Sequence, residues 1–545
     1  MRSRAERRRN WWGWGYDDAA MTDEQVASLG RAVADRLGTE VTPAPAPRLE
    51  DVSLPACRID PPAALAPLCR DDDRDRALHT YGRSYRDVVR GFRREHPHPP
   101  DLVAHPENEA DVVALLDWCG SSGYAALPFG GGSSVVGGVE AVGLRERYAG
   151  VVSVDLTALD RVLEIDRVSR AARIQGGALG PVLEDQLRPE GLTLRHFPQS
   201  FEVSTLGGWL ATRSGGHFAT LYTHIDDLVE SMRVVTPTGI SESRRLPGSG
   251  AGPSPDRLFL GSEGSLGIIT EAWMRLQDRP RWRGSAGVRF DSFAAGSEAV
   301  RALSQSGLFP TNCRLLDAGE ALVNAGVADV VDGGALCVLG FESADHPVGP
   351  WLERALELVA DYGGTVPEGE VRLRDDGAAG AGSGGARGGA EGAWRGAFVR
   401  APYTRDGLVR CGVIVETFET ACTWDRFPAL HASVTEAVEA ALAEVCGGGW
   451  VTCRFTHAYP DGCAPYFSVL APGRPGDELA QWAEIKAAAA EALLAAGGTI
   501  THHHAVGRDH DPWYRRQRPE VFGRALAAAK RELDPAGILN PDVVI

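Results

Sequence analysis

The chain has 545 residues, of which 43% are hydrophobic and 24% charged, and it carries a formal net charge of −17. A chain of this length exceeds one compact core, so we expect two or three domains of a globular protein. The acidic balance argues against nucleic acid as a partner, because a phosphate backbone requires a basic surface. No apolar run is long enough to predict a membrane-spanning helix.

Residues 1–97 mix short helical patterns with proline-rich breaks and are predicted to form a helical N-terminal extension. The opening "MRSRAERRRN" is basic, but no apolar segment follows it, so we expect no secretory signal. Ten cysteines without CxxC spacing are typical of reduced thiols in a cytoplasmic protein. Lysine occurs only at Lys486 and Lys530 while arginine is abundant, a bias typical of a high-GC bacterial source.

After residue 97 the sequence shows clearer helix and strand patterns. "NEADVVALLDWCGSSG" has apolar residues at helical spacing, an acidic start and a glycine-containing end, which predicts a helix. "AALPF" predicts a short buried strand that leads into a glycine loop. Residues 150–177 alternate apolar and polar side chains in the manner of paired strands. "GPVLEDQLRPEG" then predicts a short helix, and "LVESMRVVTPTG" a strand that ends in a turn.

The loop "PFGGGSSVVGG" lacks both the GxGxxG fingerprint and the GK[ST] of a phosphate-binding P-loop. Three consecutive glycines nevertheless allow close backbone approach, and their N–H groups can form a nest for an anion. Ser133 and Ser134 add hydroxyl donors. A plain tight turn is the alternative for this loop alone. Two further Gly/Ser-rich turns, at 198–216 and 261–276, favour one extended ligand contacted from several sides.

The remaining chain predicts a second α+β domain at 279–500, with helices such as "AEIKAAAAEALLAAGG" and strands such as "LVRCGVIVETFE" and "PYFSVLA". Within it, the Gly/Ala-rich stretch at 374–393 is predicted to be a flexible loop. The last segment, 501–545, is expected to carry one amphipathic helix and an apolar tail that returns to the first domain.

Three consecutive histidines lie in "THHHAVG", residues 501–507. If this segment is extended, His502 and His504 point to one face and His503 to the other. Three adjacent residues in that geometry cannot easily ligate one ion, so we predict no metal site. A solvated histidine cluster is the alternative to a functional one.

The loops "PFGGGSS", "PQSFEVSTLGGWLATRSGG" and "EGSLGII" resemble, in order and spacing, the FAD-binding domain of the vanillyl-alcohol oxidase type flavoproteins over residues 98–278. The resemblance implies an α+β fold, in which a PCMH-type FAD-binding domain of two α/β subdomains is followed by an α+β cap domain with an antiparallel sheet. It also implies non-covalent FAD. The implied FAD contacts are Pro128, Phe129, Gly130, Gly131, Gly132, Ser133, Ser134, Pro198, Gln199, Ser200, Phe201, Glu202, Val203, Ser204, Ala211, Thr212, Arg213, Ser214, Glu263, Gly264, Ser265, Leu266, Gly267, Ile268 and Ile269.

Further motifs, among them "NWWGWGYDD", "CRLLDAGEAL", "RAPYTRDGL", "TCRFTHAYPDGCAPYF" and "THHHAVGR", resemble the alkyldihydroxyacetonephosphate synthase family over nearly the whole chain. The resemblance implies an FAD-dependent alkyl transferase of ether lipid biosynthesis, which exchanges the acyl chain of acyl-dihydroxyacetone phosphate for a fatty alcohol. This exchange would be redox-neutral and would use a flavin N5 adduct. The implied catalytic residues are Tyr466, His502, His503, His504 and Arg314, with Arg405 as the contact for the substrate anion.

Each of these residues also has an ordinary structural alternative. Tyr466 could be a strand aromatic, although a phenol can serve as an acid/base if nearby cations lower its pKa. Arg314 and Arg405 could be ion-paired surface residues, although a guanidinium fork suits a phosphate. We expect lipid substrates, with peripheral membrane contact through "WWGWG" as one alternative and core packing of those tryptophans as the other. A homodimer is left open.

The competing function is an FAD-linked oxidase or dehydrogenase of a 2-hydroxy acid such as D-lactate or glycolate, since that class shares the fold. Many such enzymes hold a metal through "GDGNxH" and "GEHGxG" elements. Here Tyr466 stands near the position of a ligand histidine and His503 at that of the glutamate, which favours the synthase. Ala505 and Gln199 depart from the usual glycine and aspartate of the synthase, and this leaves the exact substrate open.

Overall fold

The computed structural model describes residues 7–38, 40–222, 224–325, 330, 333–376 and 389–545. Within these ranges no helix combines the length and apolar character needed to cross a membrane. The N-terminal part contains helix α1 (Asp23–Leu37), strand β1 (Cys69–Arg70) and helices α2 (Asp73–Leu78) and α3 (Tyr85–Phe92). The tryptophans of "WWGWG" are only 5–7% exposed, so they pack in the interior and do not present a surface to a membrane.

The predicted FAD-binding part follows and alternates short strands with short helices. Its elements are β2 (Leu102–Ala104), α4 (Glu109–Ser122), β3 (Tyr124–Phe129), α5 (Leu144–Arg147), β4 (Gly150–Asp155), β5 (Val162–Asp166), β6 (Ala171–Gln175), α6 (Gly180–Leu187), β7 (Leu192–Thr193), α7 (Leu206–Thr212), α8 (Ala219–Tyr222), α9 (Ile225–Leu228), β8 (Val229–Thr236), β9 (Gly239–Glu242), α10 (Asp256–Phe259), β10 (Ile268–Arg275) and β11 (Gln277–Asp278). The helix, strand and glycine loop predicted from Asn108 onward are confirmed, with Asn108 as the N-cap of α4.

Two larger sheets form this part. One has the order β1-β2-β4-β3, with β2, β4 and β3 parallel, and the other is the antiparallel sheet β5-β6-β10-β8-β9. Strands β5 and β6 pair as the alternating pattern predicts, but β4 lies between β2 and β3 in the other sheet. Because β4 is buried on both faces, it forms the centre of a parallel sheet and not a hairpin.

The third part carries a single large antiparallel sheet with helices packed on it. Its elements are β12 (Trp282–Phe290), α11 (Phe293–Gln305), β13 (Asn312–Asp317), α12 (Ala318–Ala325), β14 (Ala335–Ser343), α13 (Gly349–Ala360), β15 (Arg372–Asp375), α14 (Gly389–Arg410), β16 (Val413–Glu419), β17 (Cys422–Thr423), α15 (Phe427–Cys446), β18 (Trp450–Ala458), β19 (Gly462–Pro472) and α16 (Glu478–Ala495). The sheet has the order β15-β12-β14-β13-β18-β19-β16, and β17 also pairs with β19. The predicted α+β fold class with an antiparallel cap sheet is confirmed.

Two features differ from the sequence prediction, the extent of the Gly/Ala stretch and the number of C-terminal helices. Residues 377–388 of the Gly/Ala stretch predicted at 374–393 lie outside the described residues, whereas Gly389 already begins α14. The C-terminal segment forms two helices instead of one, α17 (Asp511–Gln517) and α18 (Glu520–Leu533). Pro519 separates them, since the residue before a proline is disfavoured in helical geometry.

The chain end packs back on the FAD-binding part, as expected. Leu539 bridges to Ala126 of β3, and the Asn540 N–H donates to the Ala126 carbonyl at 3.0 Å. Ile538 and Leu539 are buried in the core that β2, β4 and α4 share. This docking brings the histidine segment, which lies just before α17, towards the ends of β3 and β10.

Candidate active site

A cleft of about 1490 Å³, including space open to solvent, lies where the three glycine-rich loops face the cap sheet. The predicted cofactor residues that line it are Pro128, Phe129, Gly130, Gly131, Gly132, Ser133, Ser134, Pro198, Gln199, Ser200, Ser204, Ala211, Thr212, Ser214, Glu263, Gly264, Gly267, Ile268 and Ile269. The predicted catalytic residues that line it are Tyr466, Arg314, His503 and His504. Residues far apart in the chain therefore meet at one elongated site.

The first glycine loop follows β3 directly and packs against the second loop. A Cβ atom on Gly131 would lie 1.6 Å from the Val203 carbonyl oxygen, and one on Gly130 would lie 2.3 Å from Thr205 Oγ1. Gly132 has a φ of +62°, which side chains disfavour. The glycines thus allow two backbones to approach each other along the cleft wall. This bare cradle, extended by serine hydroxyls, fits the pyrophosphate and ribityl portions of FAD.

We expect Gly131→Ala to yield protein that has lost bound FAD, because the new methyl group collides with backbone and the loop must shift. The ratio of flavin to protein absorbance after purification measures this. Gly120→Ala is the matched control, since a Cβ there meets only Ile538 Cδ1, at 3.9 Å, within helix α4. Full flavin occupancy in Gly131→Ala would contradict the assigned cradle.

Six predicted cofactor residues do not line the cleft: Phe201, Glu202, Val203, Arg213, Ser265 and Leu266. They belong to the same loops, but their side chains serve other contacts. Glu202 pairs with Arg7 at 2.7 Å, and Arg213 pairs with Asp226 at 2.7 Å. Leu266 and Val203 are buried in core clusters. A turn presents only part of its residues to the ligand, and loop sequence does not show which part.

Tyr466 lies on β19 between two charged neighbours. It is opposite Glu419 of β16 and opposite Arg454 of β18. The Arg454 guanidinium carbon stands 3.8 Å from the centroid of the Tyr466 ring. Burial raises the pKa of Tyr466 above its usual range, although Arg454 acts in the opposite direction. The lowered pKa that would favour a phenolate base is therefore absent, and Tyr466 is a phenol donor at neutral pH.

Arg314 lies on β13 with only 2% of its surface exposed, although it lines the cleft. Its Nε donates to Asn312 Oδ1 at 3.2 Å, and its guanidinium carbon lies 5.4 Å from the Phe398 ring centroid. Burial, with a smaller contribution from the nearby Arg454, lowers the pKa of Arg314 to about 9. A buried cation at this position favours an anionic ligand group.

Arg405, the predicted contact for the substrate anion, does not line the cleft. It lies in α14, where its NH1 donates to the Arg83 carbonyl at 2.5 Å and its NH2 pairs with Asp406 at 3.1 Å. Asp406 in turn accepts from the Trp14 N–H, and Trp14 does line the cleft. In this geometry Arg405 supports the wall of the cleft, and its contact with substrate stays a prediction.

The histidine segment is not extended. The backbone N–H groups of His502, His503 and His504 all donate to the Glu419 carboxylate, at 2.8, 2.9 and 2.9 Å. The Thr501 hydroxyl donates to the same carboxylate at 2.6 Å. A buried carboxylate therefore curls the chain around itself. The alternation of faces that an extended segment would show therefore does not apply, because this carboxylate accepts hydrogen bonds from three successive amides.

The pKa shifts of Glu419 and of the histidines are consistent with these hydrogen bonds. Burial alone would raise the pKa of Glu419, but the adjacent His503, with His504 and His502, holds it well below its usual range. Burial lowers the pKa of His504 to about 3, and that of His502 falls well below its usual range for the same reason. Glu419 is thus a carboxylate, and His502 and His504 are neutral imidazoles at neutral pH.

Glu263 of the third loop fixes the other end of the histidine segment. Its carboxylate accepts from the Val506 N–H at 2.8 Å and from the Gly507 N–H at 3.0 Å. Burial raises the pKa of Glu263 to about 7. The following backbone N–H groups of Arg508 and Asp509 donate to the Val136 carbonyl, just beyond the first glycine loop. Glu419 from the cap and Glu263 from the FAD-binding part together hold the histidines over the cleft.

His502 lies behind His503, outside the cleft lining. His457 of β18, which sequence reasoning did not select, lines the cleft beside them. One nitrogen from each of His457, His502 and His503 lies within 4.8 Å of the others. Such spacing could accommodate a cation, but the Nδ1 atoms of His502 and His503 are 3.1 Å apart, a distance that requires a shared proton. That proton competes with any ion, so the absence of a metal stays our prediction.

Sequence reasoning also missed Glu419 and Arg454 as parts of the site. Glu419 lies in "ETFETACTWDRF", and Arg454 lies in "TCRFTHAYPDGCAPYF", one of the motifs that carry the family resemblance. Neither residue has a local signal of its own, because each acts on a partner that is distant in sequence.

Comparison with known proteins agrees with this geometry. The model of the FAD binding domain family matches residues 100–242, and that of the C-terminal domain of FAD linked oxidases matches residues 279–544. The alkyldihydroxyacetonephosphate synthase of Dictyostelium discoideum is 31% identical over 499 residues, which cover 87% of this chain and 78% of that protein. The synthase of Trypanosoma brucei brucei is 31% identical over 476 residues, with 86% and 76% covered. Both relatives are eukaryotic, so the bacterial source suggested by composition finds no support in them.

A solved structure of an alkyldihydroxyacetonephosphate synthase superposes with a TM-score of 0.79 at 26% identity, covering 98% of each chain. The cleft, its three glycine-rich loops and its histidine segment thus belong to an FAD-dependent enzyme. The chain is a member of the alkyldihydroxyacetonephosphate synthase family.

Proposed function

We propose that this enzyme exchanges the acyl chain of acyl-dihydroxyacetone phosphate for a fatty alcohol, which forms the ether bond of an ether lipid precursor. The observation that carries the proposal is the placement of Tyr466, His503 and His504 on one wall of the FAD cleft. Two of these residues stand where a hydroxy-acid oxidase would hold its metal ligands. Because Tyr466 and His503 replace the histidine and glutamate that many such oxidases use as metal ligands, the exchange reaction fits the site better.

The roles follow from the chemistry of each group. Bound non-covalently, FAD supplies an electron-accepting ring against which the ketose carbon is activated. Tyr466, held as a phenol by burial, donates or recovers a proton at the ketose part of the substrate. Arg314 provides a buried positive charge for an anionic group, and His503 and His504 exchange protons with the entering alcohol. A homodimer stays a prediction, whereas the burial of the "WWGWG" tryptophans gives no support to membrane contact through that segment.

The test is an anaerobic absorbance titration of the FAD-loaded enzyme. We expect acyl-dihydroxyacetone phosphate to perturb the flavin band, and added fatty alcohol to restore the oxidised spectrum without an electron acceptor. One free fatty acid should appear for each ether product formed. The control is the same titration with a D-2-hydroxy acid. If the hydroxy acid bleaches the flavin until oxygen is admitted, the enzyme is a dehydrogenase and the exchange proposal fails.

A further inference from the structure

The exchange reaction has a proton balance that the cleft must satisfy. The C–O bond to the acyl group breaks and the acyl chain leaves as a carboxylate, while the alcohol oxygen forms a new C–O bond and loses its hydrogen. One proton is therefore released in each turnover at neutral pH. Substrate chains bound along the cleft would keep water from the reacting groups, so this proton needs a path to solvent. This proton is released only if the enzyme carries out the proposed exchange.

A chain of hydrogen-bonding side chains leaves the cleft at His503. His503 lines the cleft, and its Nδ1 lies 3.1 Å from Nδ1 of His502, which stands behind it. On the far side of the same ring, His502 Nε2 lies 2.9 Å from the Tyr459 hydroxyl and 3.3 Å from His224 Nε2. Both ring nitrogens of His502 are thus engaged, one towards the cleft and one away from it.

The outer end of this chain approaches solvent. Tyr459 is half-buried and follows the buried end of β18, and the next residues, Pro460 and Asp461, are exposed. His224, between α8 and α9, is also half-buried. His502 is therefore linked through Tyr459 to an exposed turn at the end of β18.

The distances link the proton positions of neighbouring rings. Two imidazole nitrogens 3.1 Å apart share one proton, so the tautomer of His502 and that of His503 are linked. When His503 takes a proton at Nε2, its Nδ1–H bond breaks and the proton forms an N–H bond with His502 Nδ1. The His502 Nε2–H then passes to the Tyr459 oxygen, which releases its own hydroxyl proton to water. Each step breaks one bond to hydrogen and forms another.

The rings are held in place for such transfer. The Glu419 carboxylate fixes the backbone of both His502 and His503. The rings of Tyr459 and His457 are nearly parallel, at 11° and a centroid separation of 6.3 Å. We infer that His502, Tyr459 and His224 form a proton relay that carries the alcohol proton from His503 to solvent. Tyr459 and His224 are positioning residues that act through His502 and do not touch substrate.

The experiment uses the FAD-loaded enzyme and Tyr459→Phe, which keeps the ring and removes only the hydroxyl. We expect kcat for the exchange to fall about tenfold with little change in KM, because His224 remains as a second exit. The solvent deuterium isotope effect on kcat should rise, and a pH-indicator dye should show delayed proton release in a single turnover. Tyr459→Phe combined with His224→Phe should lose more than the product of the two single losses. Tyr148→Phe is the matched control, since its hydroxyl donates to the Gly537 carbonyl away from the cleft.

A second readout does not depend on substrate. In the resting FAD-loaded enzyme labelled with ¹⁵N-histidine, Tyr459→Phe should shift the Nε2 resonance of His502 and, through the shared proton, a resonance of His503. An unchanged isotope effect and unshifted histidine resonances would overturn the relay. A wild-type enzyme without exchange activity would count against the proposed function alone, because the histidine resonances decide on the relay without turnover.

Discussion

Tyr466→Phe should lower kcat for the exchange by about 10²–10⁴-fold while FAD stays bound. The substitution removes only the phenol oxygen, and the ring keeps its place over Arg454, 3.8 Å from the guanidinium carbon. Because burial holds Tyr466 as a phenol, its loss removes a proton donor and not a charge. Steady-state kinetics, together with the flavin spectrum of the purified variant, measure the effect.

Tyr81→Phe is the control for this result. Tyr81 is also buried, and its hydroxyl donates to the Glu95 carbonyl at 2.5 Å, but it does not line the cleft. This variant should lose about 1 kcal/mol of stability, typical of one buried hydrogen bond, and keep its kcat. If Tyr466→Phe were no slower than Tyr81→Phe, Tyr466 would be an ordinary strand aromatic.

Glu419→Gln should lower the free energy of unfolding by about 3 kcal/mol and reduce the exchange rate by about 100-fold. The carboxylate accepts three backbone N–H groups and the Thr501 hydroxyl, and its side chain has no solvent exposure. A glutamine has a single side-chain acceptor oxygen, and its NH₂ group would face backbone N–H donors of the histidine segment without being able to accept from them. The histidine turn must therefore open, which displaces His503 and His504 from the cleft. Urea unfolding and kinetics measure the two effects.

The stability difference between wild type and Glu419→Gln should also depend on pH. The folded-state pKa of Glu419 lies well below the unfolded value of about 4.3, so between these values the unfolded chain binds more protons. The stabilisation is thus fully present above about pH 5 and is lost as the pH falls through the folded pKa. Unfolding curves at pH 7 and at about pH 3.5 should show a difference that shrinks with acid. A constant difference would mean that the carboxylate charge is not the stabilising feature.

Glu416→Gln separates this effect from general damage to the strand. Glu416 lies three residues earlier on β16, is buried, and accepts from Lys486 Nζ at 2.8 Å and from Trp482 Nε1. Its substitution should cost several kcal/mol of stability, since it leaves a buried lysine without its charge partner. It should leave the histidine turn and kcat intact, because none of its hydrogen bonds reaches residues 501–507.

The sequence by itself determined the elements with strong local patterns and the class of cofactor. The helical spacing and capping of Asn108–Ser122 predict α4, and the three glycine-rich turns predict a single extended ligand, since each signal resides in neighbouring residues. The order of the motifs along the chain identifies the family, because several motifs in one order are more specific than any single residue. His503, His504 and Tyr466 were selected in this way.

Only the tertiary structure decided how these residues work together. Local sequence left the conformation of the histidine segment open, and Glu419, more than 80 positions earlier, imposes a turn through three hydrogen bonds. Likewise β4 belongs to the parallel sheet, and Arg405 donates to the Arg83 carbonyl. Strand pairing and hydrogen bonds of this kind form between segments that are distant in sequence. Local sequence specifies local conformation, whereas a carboxylate that accepts remote amides, and a pKa set by burial, exist only once the chain has folded.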